Sequence, residues 1–309
     1  MDNNINTKKY IKIIISINVF EKIGFLLKQL QNINEFVEDD YIIILNCNHY
    51  MYEELNKIKF EENIINKVII NPIILEKKGF HGSLLQGIIL NLEYAIKNYY
   101  FEYFIILSSR NVFYNKLNKE KIDFVFENNL ITGYHKKNVN LNEWHWWSFK
   151  NTKIFNIFNK ISDSTHEGLC IDFDGSNLLY SFLQNNIEIK NELYNYNHCV
   201  EEFAIQTIMS NIYKGYVYLG NGCGTQYNIS ELSNDLFLYK TIRDDREDIT
   251  KPPIEVPIEN NNNNSKIKTK SIKYSLLLNK INQLNKINQL NQLNKRIINK
   301  NMNNIIIKK

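Results

Sequence analysis

The 309-residue chain is poor in cysteine, and Cys47, Cys170, Cys199 and Cys223 are scattered without a Cys-x-x-Cys pair. That spacing supplies neither a zinc site nor a disulfide framework, and it fits a reducing compartment. Long apolar runs are missing too. The stretch Ile11 to Ile17 is too short to cross a bilayer and is broken by Lys12 and Ser16. The polar segment Met1 to Lys9 lacks the pattern of a cleavable signal. The expectation is a cytoplasmic chain with no membrane span. Net charge is only +4, and no basic run interleaved with aromatics stands in the first 250 residues. Nucleic acid is therefore not an expected partner.

What is present is a hydrophobic fraction of 44%, enough to bury a sizeable core. The first third alternates strand and helix patterns. Tyr10 to Ile17, Tyr41 to Leu45, Lys67 to Ile70 and Tyr103 to Leu107 are short β-branched or apolar runs of the kind that form buried parallel strands. Between them, Ile23, Leu26, Leu27, Leu30 and Ile33 fall at helical spacing. So do Leu84, Leu85, Ile88, Ile89, Leu92 and Ile96 after Gly82. Strands joined by helical crossovers predict a mostly parallel, Rossmann-like α/β sheet flanked by helices. Ligands of such sheets bind beyond the carboxyl ends of the strands. The polar strand ends at Ser16 to Asn18, Asn46 to His49 and Ser108 to Asn111 are thus candidate cleft residues, although Asn and Ser also simply make turns.

After Thr250 the pattern changes. Lys251-Pro252-Pro253 and Pro257 break structure, Asn260 to Asn264 is a homopolymer, and Leu278 to Leu293 repeats an apolar residue at every third position. That period drifts around a helix and makes no fixed stripe. The expected division is a domain over 8–250 and a low-complexity, disordered tail over 251–309.

Several side chains have the chemistry of a site. Glu201 and Glu202 open an apparent helix in Val200-Glu201-Glu202-Phe203-Ala204-Ile205-Gln206-Thr207. A carboxylate there is favoured by the helix dipole and can take a proton from a bound hydroxyl. The plain alternative is an acidic first turn. Trp144, Trp146 and Trp147 are the only tryptophans, and such a cluster either stacks on sugar faces or anchors a loop. Asp172-Phe173-Asp174 is an Asp-x-Asp pair that could hold Mn2+ or Mg2+, or could merely end a strand.

Four segments, in order, resemble the GT-A fold glycosyltransferases of the core-2/I-branching β-1,6-N-acetylglucosaminyltransferase and xylosyltransferase type. Phe80-His81-Gly82-Ser83 stands for the Trp-Gly-Gly-x-Ser motif, and Leu107-Ser108-Ser109-Arg110-Asn111 for Leu-Ser-Gly-x-Asp. Glu167-Gly168-Leu169 stands for a Gly-Ser segment before an apolar strand, and Val200-Glu201-Glu202-Phe203 with Thr207 for Pro-Asp-Glu. The resemblance runs from about Tyr10 to Arg243. It implies an inverting, metal-independent transferase that takes a sugar from a nucleotide-sugar, UDP-linked, to a carbohydrate or glycoprotein hydroxyl. Glu202 matches the catalytic base. Asn46, Asn48, Gly82, Ser83, Ser108 and Asn111 would border the donor, with Lys240 and Arg243 on its diphosphate. Trp146, Trp147, His166 and Glu167 would face the acceptor. No cofactor is implied. The motifs depart from the family at Asn111 and at Val200-Glu201, which leaves an inactive carbohydrate- or nucleotide-binding protein as one alternative. A metal-dependent enzyme using Asp172 and Asp174 is the other.

Overall fold

The computed structural model describes residues 8–240, apart from 59, 61, 129–135, 140–148, 159–160, 164–165, 214 and 221–236. All of these belong to the first of two units of the chain, Met1–Glu255. The tail expected over 251–309 lies outside the described residues, as do Arg243 and the three tryptophans.

The first four strands are β1 (Lys9–Val19), β2 (Tyr41–Cys47), β3 (Val68–Ile70) and β4 (Tyr99–Leu107). They are joined by α1 (Ile23–Phe36), by α2 (His49–Lys57) with α3 (Glu62–Ile65), and by α4 (Ser83–Asn98). Next come β5 (Asn111–Phe113), α5 (Lys119–Glu127), β6 (Lys136–Val139), α6 (Ile154–Ile157), β7 (Ile161–Asp163) and β8 (Leu169–Asp172). The described part closes with α7 (Phe173–Asn185), α8 (Ile187–Tyr194), a 3-10 turn (Val200–Glu202), α9 (Ala204–Ile212), β9 (Tyr216–Tyr218) and β10 (Leu238–Lys240).

The main sheet has six strands in the order β3-β2-β1-β4-β8-β9. β1 to β4 pair in parallel, as the crossover pattern predicts. β8 runs antiparallel to β4, and β9 antiparallel to β8. Alternation along β1 sends Ile13, Ile15 and Ile17 to one core with Leu26, Leu30 and Ile33 of α1. Ile14 joins the other core, with Leu85, Ile88 and Leu92 of α4 and the buried side of α9. The sheet is thus covered on both faces. No helix among the described residues is long and apolar enough to cross a membrane.

Toward the carboxyl end of β1 the face under α4 turns polar, and hydrogen bonds replace apolar packing there. Asn91 Nδ2 of α4 donates to Ser16 Oγ at 3.0 Å and to the Ile44 carbonyl at 2.9 Å. Asn71 Nδ2 donates to Asn91 Oδ1 at 3.0 Å. Asn18 Nδ2 donates to the Leu84 carbonyl at 2.7 Å. A buried network of this kind holds helix and sheet in one register, because each partner left without its mate would cost its full desolvation.

Candidate functional site

At the carboxyl edge of β1 and β4 the chain forms a cavity of about 200 Å³. Its lining includes Asn18, Glu21, Phe80, Ser108, Arg110, His166, Glu167, Glu201 and Glu202. That volume is below the ~300–1,000 Å³ usual for drug-sized ligands. The space enclosed by the described residues is therefore smaller than a ligand of that size fills.

The acidic side is built on buried foundations. Glu201 and Glu202 do not lie in an α-helix, as their spacing suggested, but in the 3-10 turn just ahead of α9. The turn is closed by the Glu202 N–H donating to the Cys199 carbonyl at 3.1 Å. Phe203, Ala204, Ile205 and Ile208 behind it are core residues. Thr207 Oγ1 accepts from the Ser162 N–H at 3.2 Å, tying α9 to β7. The aromatic and Thr positions of the motif are thus structural, and they hold the carboxylates at the cleft wall. Glu201 is buried, whereas the Glu202 side chain is 21% exposed and open to a ligand.

His166 and Glu167 arrive by a different route. Gly168 adopts φ +77°, a backbone that residues with a Cβ rarely take, and its N–H donates to the Ile106 carbonyl at 2.8 Å. This turn starts β8 at the cleft edge and leaves the two preceding side chains facing Glu202. His166 Nδ1 lies 3.8 Å from Glu202 Oε1 and 3.9 Å from Glu167 Oε2. One ligand atom from each of the three residues falls within 4.8 Å of the others, so the trio could hold a divalent cation. An imidazole with two carboxylates suits a transition metal such as Mn2+ or Zn2+ better than Mg2+.

The basic side is the turn after β4. Asn111 Oδ1 accepts from the Ser108 N–H at 2.7 Å and from Ser108 Oγ at 3.1 Å. Ser108 Oγ in turn accepts from the Arg110 N–H at 3.4 Å. Gln29, buried on α1, donates to the carbonyls of Ser108 and Asn111 at 2.7 and 3.0 Å. Asn111 is therefore the brace of this turn, while Ser108 and Arg110 line the cavity. Lys240 is the register partner of Asn111 in the β5–β10 ladder, which brings its backbone beside the same turn.

Of the residues picked from sequence, the structure brings Ser108, His166, Glu167 and Glu202 to one cavity. It gives four others work elsewhere. Asn48 caps α2, accepting from the Met51 N–H at 2.9 Å. Asn46 Nδ2 donates to the Ile73 carbonyl at 2.9 Å. Ser83 Oγ accepts from the Lys78 N–H at 3.1 Å. Gly82 packs against the end of α8, where a Cβ would meet the Leu193 carbonyl oxygen at 1.9 Å. The Asp-x-Asp pair stands apart from the cavity. Asp172 lies opposite Tyr103, midway along β4, where it caps α7 by accepting from the Gly175 N–H at 2.7 Å. It also accepts from the Tyr213 hydroxyl at 3.0 Å. Burial raises its carboxyl above the usual value. Trp146, Trp147 and Arg243 lie outside the described residues.

Sequence reasoning placed Arg110 within a candidate cleft segment without giving its charge a role, paired Glu201 with Glu202 without a separate role, and passed over Glu21 and the side chain of Phe80. A lone charge in a turn reads as solvated until the turn is seen at a cavity wall.

No protein-family model and no curated protein matches this chain. Among solved structures, that of S. aureus TarS, a glycosyltransferase, aligns with a TM-score of 0.36 at 11% identity. The alignment covers 77% of this chain and 38% of that one, so the chain spans well under half of TarS. A likeness at that level carries no weight for what this chain does.

Proposed function

We propose that the chain is a glycosyltransferase that moves a sugar from a nucleotide-sugar, UDP-linked, to a carbohydrate or glycoprotein hydroxyl, with inversion and without a metal. The observation that supports this reading best is the position of Glu202. It is a partly open carboxylate on a 3-10 turn, beside His166, in a cavity at the carboxyl edge of the parallel strands that Ser108 and Arg110 also line. In the step, the acceptor O–H gives its proton to Glu202, and its oxygen bonds to the anomeric carbon. The bond from that carbon to the diphosphate oxygen breaks on the opposite face, and the diphosphate leaves with the electron pair. A base set in a stable turn needs no reorganisation to meet the hydroxyl.

Glu202→Gln keeps the shape of the side chain and removes the base. Transfer is expected to fall by about 10²- to 10⁴-fold while the donor still binds. A variant with wild-type turnover sinks the assignment.

One observation favours a second reading. The compact trio His166, Glu167 and Glu202 has the composition of a cation site. If it holds a cation, activity disappears on chelation and returns with Mn2+, and Glu202 is a ligand in place of a base. Activity that survives EDTA undiminished supports the metal-free step.

A further inference from the structure

We infer that Arg110 binds the diphosphate of the donor and neutralises it as it departs. The inference rests on the nucleotide-sugar reading and adds to it a residue that the resemblance does not supply. It starts from a charge problem. The described lining of the cavity carries four carboxylates, those of Glu21, Glu167, Glu201 and Glu202. A leaving diphosphate is itself multiply negative. In a partly desolvated cleft, like charges repel far more than in water. A positive side chain at the cavity wall offsets that repulsion.

Among the described residues lining the cavity, Arg110 alone carries a guanidinium or ammonium group. It sits on the turn after β4, whereas Glu167, Glu201 and Glu202 come from the segments before β8 and before α9. The positive charge and these three carboxylates thus reach the cavity from different elements. Arg presents a planar fork that matches phosphate oxygens two at a time.

The backbone under Arg110 is fixed in advance. Its own N–H is held by Ser108 Oγ, and the flanking carbonyls of Ser108 and Asn111 are both held by Gln29. A backbone fixed before the ligand arrives need not be ordered on binding, so only the side chain itself loses freedom. The β5–β10 ladder, in which Lys240 pairs with Asn111, adds a further backbone tie beside this turn.

The test is calorimetric titration of the full-length chain with UDP, uridine and inorganic pyrophosphate. Wild type, Arg110→Ala and Arg110→Lys are compared, with circular dichroism to verify folding. Arg110→Ala is expected to weaken UDP and pyrophosphate by about 10- to 100-fold and to leave uridine unchanged. Arg110→Lys should fall between, because it keeps the charge and loses the fork. Salt should weaken UDP binding more steeply in wild type than in Arg110→Ala. Undiminished UDP binding by Arg110→Ala, or an equal loss for uridine and UDP, overturns the inference and leaves the transferase reading standing. A wild-type chain that binds none of the three overturns both.

Discussion

Phe80 holds φ +55° and keeps 69% of its surface exposed at the rim of the cavity. A left-handed backbone costs a residue with a Cβ roughly 1–2 kcal/mol, and an exposed ring returns little of that through burial. Phe80→Gly is therefore expected to stabilise the fold by about 0.5–1 kcal/mol, once the greater freedom of glycine in the unfolded chain is subtracted. Thermal melting would show it. A lower melting temperature in the variant would mean that the ring is held by packing. Lys77 poses the opposite case. It is buried, its ammonium donates to the Leu75 carbonyl at 3.3 Å, and desolvation brings its pKa down from 10.5 to about 8. Because the folded value is the lower one, the unfolded chain binds more protons between these limits, and stability rises with pH there. The cost of burying the charge is complete below pH 8 and fades as pH climbs toward 10.5. Lys77→Met should thus be more stable than wild type at pH 7, by on the order of 2–3 kcal/mol. The gap should narrow between pH 7 and 9 in urea unfolding. A constant gap would assign the effect to shape and not to charge.

At the scale of elements, the tightest constraint is where α4 begins. The Gly82 N–H donates to the Tyr196 carbonyl at 2.8 Å, and a Cβ at this position would meet backbone atoms of Leu193 and Tyr194 between 1.9 and 2.8 Å away. Backbone cannot swing aside as a side chain can. Gly82→Ala should therefore cost about 1–3 kcal/mol, read as a lower midpoint in urea with an unchanged slope. The glycine that the resemblance sets beside the donor is also required where α4 meets the end of α8. Asn48 teaches the same lesson. A side chain suited to greeting a ligand is equally suited to capping a helix, and residue type alone does not separate the two uses.

For the whole molecule, the parallel half of the sheet was readable from the chain. Isoleucine-rich runs of strand length, separated by stripes at helical spacing, have few other ways to be buried. The helix over Leu84 to Ile96 was equally plain. The direction of β8 was not, because Leu169-Cys170-Ile171 declares a buried strand without saying which way it points. Direction is settled by Gly168 and by the ladder to β4. The segment of Arg110 was marked as a strand end, but the use of its charge was not legible, since that depends on which distant segments the sheet sets beside it.

That reversal of β8 has a mechanical consequence. The ladder Ile106↔Leu169, Ile105↔Cys170 and Phe104↔Ile171 works like a ratchet between the two halves of the cleft. A slip of two notches keeps every side chain on its proper face yet carries His166 and Glu167 about 7 Å along the strand, out of reach of Glu202. The spacing between acid and imidazole is therefore set by the teeth of a hydrogen-bonded seam that begins three residues beyond the imidazole.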